Sequence, residues 1–304
     1  MTRPLVTVVI PSFNGERYLA DAVRSSLDQT YDRLEVVVVD DGSRIPQVDV
    51  LASIHDSRLR VIRQENAGVA NARNRGAREG RGDVIALLDA DDRWLPRKLE
   101  VQIPIMEAAH ADIVFSDMHR FQGDTRLPET YQRAVPVPPE SEFFRALIRR
   151  NFVALSTAVV TRRAFESVGG FCEDRSIWED WDLWIRLATR WRFASCPDAL
   201  TEYRMHDANA SGDVQVLTDR ALATLARLQQ AYPGMFDEYA ADLRHSRGEV
   251  WFNLGYARLR QGRVAEARAA LRRAARLRPL HVGTWKDILR AAVAALRPKA
   301  AVAS

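Results

Sequence analysis

Four short strand-like runs, three of them apolar, each stopped by a cluster of polar or acidic residues, constrain this chain more than any other feature. Residues 5–10 end in Pro11-Ser12-Phe13-Asn14-Gly15. Residues 34–39 end in Asp40-Asp41-Gly42-Ser43, residues 58–64 in Glu65-Asn66, and residues 84–88 in Asp89-Ala90-Asp91-Asp92. Runs rich in Val and Ile without polar alternation read as strands buried on both faces. Between them, residues 16–27 set Leu19, Val23 and Leu27 at helical spacing, and residues 67–79 read as a helix opening at Gly68. This alternation predicts an α/β fold, a mostly parallel sheet flanked by helices. Such sheets bind ligands beyond the carboxyl ends of their strands. All four polar clusters fall there, which favours a site over four unrelated turns.

The last cluster is the most informative. Three acids within four residues repel one another unless a cation relieves them. Mg²⁺ and Mn²⁺ use one or two carboxylates and share their other positions with substrate phosphates. Asp89 and Asp91 are therefore expected at the centre of a metal–diphosphate site, with Asp92 facing solvent or capping the next element. An Asp-rich turn is the alternative.

Further along, residues 96–109 read as a helix and residues 113–115 as a short strand. Residues 122–139, with four prolines, read as a long loop of the kind used for lids or binding. Residues 155–161, 192–194 and 199–204 are expected strands, and the stretch from Trp178 to about Thr189 enters a helix. Cys172 and Cys196 fit neither a disulfide framework nor a zinc site. Residues 1–4 lead straight into a strand and no apolar run is long enough to span a bilayer, so a cytoplasmic location is expected.

The order and spacing of these stretches carry a resemblance. Val8-Val9-Ile10-Pro11-Ser12-Phe13-Asn14-Gly15, Val38-Val39-Asp40-Asp41-Gly42-Ser43, Glu65-Asn66-Ala67-Gly68-Val69-Ala70-Asn71-Ala72-Arg73-Asn74, Leu87-Leu88-Asp89-Ala90-Asp91-Asp92, Trp178-Glu179-Asp180-Trp181-Asp182 and Tyr203-Arg204-Met205-His206 cover roughly residues 5–210. Together they resemble the inverting, family-2 nucleotide-sugar glycosyltransferases of the GT-A fold. The resemblance implies a UDP-sugar donor first, with dTDP and GDP sugars open, and a glycan or lipid-linked acceptor in cell-surface polysaccharide or glycolipid synthesis. It places Pro11, Phe13, Asp40 and Asp41 at the nucleotide base, Arg73 at the nucleotide or its diphosphate, and Asp89 near the ribose. Asp91 would bind the metal, Mn²⁺ or Mg²⁺, and His206 would add a further metal or diphosphate contact. Asp180 would act as general base, with Glu179 as second candidate and Trp178 as an acceptor contact. For Asp180 the competing use is a helix cap.

The GT-A domain is expected to span residues 1–212 and a helical region residues 213–304. From Arg244 onward there are 14 Lys and Arg against three Asp and Glu. Trp251, Leu254, Gly255, Ala267, Ala274 and Pro279 fit a single tetratricopeptide-like repeat, with Leu271 at its aromatic position and Arg258 departing from it. One helix pair cannot bury its own apolar face. Ile288, Leu289, Ala292, Val293 and Leu296 form an apolar stripe beside Arg290, Arg297 and Lys299, which suits either a docked terminal helix or peripheral contact with the inner face of a membrane. Nucleic acid fits poorly, because the aromatic residues there follow the apolar pattern. Two competing readings are a nucleotidyltransferase, which would want a Gly-rich, Lys-containing loop after the first strand, and an inactive sheet domain whose tail is a scaffold.

Overall fold

A computed structural model describes residues 3–123, 125–206 and 213–296, the last five as helical backbone only. The chain divides into two compact units. The first comprises residues 1–147, 151–175 and 179–209. The second comprises residues 148–150, 176–178 and 210–304.

The first unit is built on nine strands: β1 (Val6–Ser12), β2 (Leu34–Asp40), β3 (Leu59–Arg63), β4 (Val84–Leu87), β5 (Arg93–Trp94), β6 (Ile113–Gln122), β7 (Thr125–Arg126), β8 (Ala158–Thr161) and β9 (Phe193–Arg204). Their order is β3-β2-β1-β4-β8-β6-β9-β5, with β7 paired to β6. The β1–β2, β2–β3, β1–β4 and β6–β9 pairs are parallel, whereas β8 runs antiparallel to both β4 and β6. The carboxyl ends of β1, β2 and β4 are thus brought side by side.

The uninterrupted burial of β1, β2 and β4 follows from cover on both faces. Val6, Val8 and Ile10 pack with Leu19 and Val23 of helix Leu19–Leu27 and with Leu99 and Ile103 of helix Lys98–Ala108. On the opposite face Val37 and Val39 pack with Ala72 of helix Val69–Glu79. That helix lies close to β1: a Cβ on Gly76 would come within 2.5 Å of Val9 Cγ1.

Three expectations need correction. The strand at residues 113–115 runs on to Gln122, so β6 is ten residues long. The two strands expected within 192–204 are one, β9, whose register against β6 shifts around Asp117. Residues 122–139 are not one loop: they hold β7 and helix Tyr131–Ala134, and Gln132 N–H donates to Asp117 Oδ1 (2.8 Å).

In the second unit, helices Val214–Ala231, Pro233–Glu238, Ala240–Arg260, Val264–Leu277 and Val282–Leu296 follow one another. Gly255 and Leu271 bring the third and fourth together; a Cβ on Gly255 would lie 2.6 Å from Leu271 Cγ. Arg258, at the position that departs from the repeat pattern, is buried and donates to Gln215 and Gln261. The expected boundary at residue 212 lies outside the described residues, as do the side chains of Ala292, Val293, Leu296, Arg297 and Lys299. Among the described residues no helix is long and apolar enough to cross a membrane.

Candidate active site

Strand ends bring the acidic residues of the first unit together. β1 runs into Asn14, whose left-handed backbone (φ 52°) turns the chain and lets its N–H donate to Ser43 Oγ (2.9 Å). Phe13 stays 55% exposed beside this turn, and Pro11 is buried within β1.

Asp40 and Asp41 follow β2 but do different work. Both oxygens of Asp40 are occupied by the chain itself: Oδ1 accepts from Ser43 N–H (2.9 Å), and Oδ2 from Gln47 N–H (3.1 Å) and Arg63 (2.9 Å). Burial alone would raise its pKa, but these donors outweigh it and hold the carboxyl below its ordinary value. In this placement Asp40 fixes the loop. Asp41 accepts from Gln64 Nε2 (2.7 Å) and Ala67 N–H (2.9 Å) on Oδ1, and from Gly68 N–H (2.8 Å) on Oδ2. A carboxylate has about four lone-pair sites. Among the described residues Oδ2 accepts one hydrogen bond and Oδ1 two, on a side chain that is itself buried.

Arg73, on helix Val69–Glu79, is buried and bridges Asp89 (2.7 Å) and Glu179 (2.9 Å). Burial opposes its charge, but the two carboxylates prevail and its pKa moves up. Each terminal nitrogen thus donates one of its two N–H groups to a carboxylate of the site and keeps a second. Nε of Arg73 is buried without a partner.

Desolvation raises the pKa of Asp89, and Asp91 adds to the effect against the pull of Arg73. Asp91 keeps part of its carboxylate exposed, and Oδ2 lies 2.9 Å from His206 Nε2. The His206 ring rests 5.2 Å from the ring of Tyr18. Asp92 corrects the expectation that it faces solvent. It is buried, takes Arg204 N–H on Oδ1 (3.0 Å) and Ser156 Oγ–H on Oδ2 (2.6 Å), and so ties this turn to the end of β9. Burial, then Asp91 and Asp89, push it well above the usual carboxylate range.

Glu179 and Asp180 open helix Glu179–Ala188. Its start is anchored by Trp181 Nε1 on Leu147 O (2.6 Å) and Trp184 Nε1 on Val153 O (3.1 Å). Asp180 accepts from Asn151 Nδ2 (2.9 Å) and from Trp181 N–H (2.6 Å). Burial first, and then repulsion from Glu179, bring its pKa up to about 7. Arg73 pulls the other way. Trp178 falls in the second unit, half-buried, with its N–H on Thr224 Oγ1 (2.8 Å).

Among the described residues no three His, Cys, Asp or Glu side chains form a closed metal cage. The facing pair Asp91 and His206 instead offers one oxygen and one nitrogen. That fits a Mg²⁺ or Mn²⁺ ion whose remaining positions come from phosphates and water.

Several positioning residues left little trace in the sequence. Ser156 is buried and reaches both Asp92 and Asp89 N–H (3.2 Å). Asn151 sits in a segment with no recognisable pattern, and Tyr18 lies at the start of a stretch whose helical spacing is carried by other residues. Asn74 does lie in a quoted stretch. Its Nδ2 donates to Phe171 O (2.9 Å) and its Oδ1 accepts Phe171 N–H (2.8 Å), which holds residues 171–175 against the helix.

Comparison with known proteins bears on the family and the fold. The profile of glycosyl transferase family 2 matches residues 7–169, and that of a tetratricopeptide repeat matches residues 248–281. The UDP-Glc:alpha-D-GlcNAc-diphosphoundecaprenol beta-1,3-glucosyltransferase WfaP of Escherichia coli is 28% identical over 211 residues, 69% of this chain and 80% of that protein. The putative teichuronic acid biosynthesis glycosyltransferase TuaG of Bacillus subtilis is 31% identical over 163 residues, 53% of this chain and 63% of that one. An uncharacterized glycosyltransferase of Rickettsia felis is 28% identical over 188 residues, and the match spans only 31% of its length. The crystal structure of Staphylococcus aureus TarS 1–349 with UDP-GlcNAc superposes with a TM-score of 0.63 at 16% identity, covering 95% of this chain and 90% of that one. At that identity the likeness speaks for the fold, a GT-A sheet with helices behind it.

Proposed function

The chain belongs to glycosyl transferase family 2, and from that membership we propose that it transfers a sugar, with inversion, from a UDP-sugar to a hydroxyl of a glycan or lipid-linked acceptor in surface polysaccharide synthesis. The observation that carries the reading is the pairing of a carboxylate poised near neutrality, Asp180, with the acidic turn Asp89–Asp91 in one unit. Names of relatives support the chemistry: one uses UDP-Glc and a diphosphoundecaprenol-linked acceptor, and another is assigned to teichuronic acid biosynthesis.

In this reading Asp41 Oδ2 takes an N–H of the base, and Phe13 packs against the ring. Asp91 and His206 would hold a divalent ion, which when bound would supply positive charge at the departing diphosphate. Asp180 takes the proton from the acceptor hydroxyl as its oxygen attacks the anomeric carbon. The bond to the diphosphate breaks on the opposite side, and no covalent intermediate forms. General-base action of this kind is worth ~10²–10⁴ in rate. Arg73 holds Asp89 and Glu179 in register and so shapes the pocket without entering the reaction.

Calorimetric titration of UDP, dTDP and GDP with and without Mn²⁺ tests the donor half. Metal-dependent binding of UDP, abolished in Asp91→Asn, is the expected result. Equal binding by the two proteins, or none by well-folded wild type, would overturn the metal–diphosphate assignment.

A further inference from the structure

Among the described residues, the last helix of the second unit carries an exposed apolar face. Helix Val282–Leu296 turns Thr284, Asp287 and Ala291 inward, where they are buried. Val282, Trp285 and Leu289 point the other way and are 78%, 52% and 66% exposed. Their spacing of three and four residues places them in one row along the helix. Leu280, 93% exposed in the preceding turn, precedes the row. Scattered apolar residues are ordinary on a soluble surface, but a contiguous row marks an interaction site.

The same face is cationic. Lys286 and Arg290, both exposed, follow Trp285 and Leu289 by one residue each and lie beside the row, with Arg290 also donating to Asp287 Oδ1 (2.7 Å). The turn before the helix borders a cavity of about 370 Å³ lined by Arg244, His245, Arg278 and His281 together with Leu277 and Leu280. Leu280 thus joins the apolar row to a basic mouth. Two of its groups share one carboxylate, Glu249, through Arg278 (2.8 Å) and His245 (3.5 Å). A Trp-containing apolar row with Lys and Arg beside it is the composition of a helix that lies in the plane of a bilayer interface.

We propose that this face docks on an anionic phospholipid bilayer. Val282, Trp285 and Leu289 enter the headgroup–acyl boundary, while Lys286, Arg290 and the basic cavity meet lipid phosphates. A second copy of the chain fits less well, because a two-fold contact sets the same patch against itself and would bring like charges together. A helical peptide would need a groove, whereas the outward side of one helix is convex. The inference does not depend on the transfer reaction, since it rests only on the second unit.

Cosedimentation of the full chain with vesicles tests it. Wild type should pellet with vesicles containing about a third phosphatidylglycerol, weakly with pure phosphatidylcholine, and less as salt rises. Trp285→Glu with Leu289→Glu should weaken binding about tenfold or more. Lys286→Glu with Arg290→Gln should weaken it toward anionic vesicles alone. Leu289→Ser is a milder check should a double variant melt early. Absence of pelleting with anionic vesicles at low salt, or equal pelleting of wild type and folded variants, overturns the proposal. So does a wild-type dimer in analytical sedimentation that becomes monomeric in the Trp285/Leu289 variant, which would assign the face to a second copy.

Discussion

At the residue scale Asp180 and Arg73 carry the proposal, and their effects are opposed. With its pKa up to about 7, Asp180 is half ionised near neutrality and mostly ionised only above it. As general base it works in that form, so kcat/KM should rise about tenfold per pH unit below 7 and level off above. Asp180→Asn should remove the rising limb and lower kcat by ~10²–10⁴ while UDP binding is kept. An unchanged profile would exclude Asp180 as the base. The same raised pKa has a stability consequence. The protonated carboxyl favours the fold at low pH, and that contribution fades as pH rises from the ordinary carboxylate range through about 7. At pH 8, therefore, Asp180→Asn should unfold no more easily than wild type, as measured by urea denaturation. Arg73 acts in the reverse sense. Its cation lowers the Asp180 pKa, so Arg73→Met should move the rising limb to higher pH. It should also destabilise the fold by about 2–4 kcal/mol, somewhat below the cost of breaking a fully buried pair, because Asp89 and Glu179 keep some contact with water. The identities of these residues were legible in the sequence because carboxylates at strand ends and helix starts announce themselves. The fates of Asp40 and Asp92 were not. Each is decided by who donates to its oxygens, and the donor to Asp92 comes from Arg204, 112 positions away.

Two glycines separate site-building from packing at the scale of elements. Gly68 precedes helix Val69–Glu79 with φ 95° and ψ 160°, a region essentially reserved for glycine. Its N–H and that of Ala67 define the cradle around Asp41. Gly68→Ala should cost about 1–3 kcal/mol and weaken UDP binding in the molecules that remain folded. Gly76 has ordinary dihedral angles but touches β1, so Gly76→Ala overpacks the interface with Val9. A similar loss of about 1–3 kcal/mol is expected, with UDP affinity of the folded fraction unchanged. If both substitutions left nucleotide affinity intact, the cradle would not be part of the donor site. The same contrast explains which elements the sequence revealed. β1, β2 and β4 are buried throughout and chiefly apolar because both their faces are covered. The outer half of β6 carries Asp117, His119 and Arg120, and the end of β9 carries Glu202 and Arg204. There the sheet is held by charge as well as by apolar packing: Glu202 pairs with Arg93 and Arg126, while Arg93 and Arg204 lie over the Phe121 ring. Hydrophobic periodicity cannot find a strand stabilised in that way.

At the scale of the whole molecule the question is whether the two units unfold together. The change to an Ala-, Leu- and Arg-rich helical composition marks the second unit in the sequence. Its short inclusions, Ile148–Arg150 and Ser176–Trp178, carry no such signature and emerge only from three-dimensional proximity. Each unit has its own buried set: the sheet and its helices in the first, and Leu254, Ala267, Leu271 and Ala274 among others in the second. Separate cores permit separate transitions. UDP with Mn²⁺ at a hundredfold excess over Kd should stabilise a unit that holds the whole donor site by about 2.7 kcal/mol. For a unit of this size that is a rise in Tm of roughly 5–10 °C. All the proposed donor and metal residues, from Pro11 to His206, lie in the first unit. Differential scanning calorimetry should therefore show two transitions. One should move with UDP and Mn²⁺ and stay fixed in Asp91→Asn, and the other should be indifferent to both. A single transition that moves as a whole would mean that the helical unit is stabilised through the sheet. Truncation after the first unit would then be expected to weaken donor binding, although no donor residue is removed.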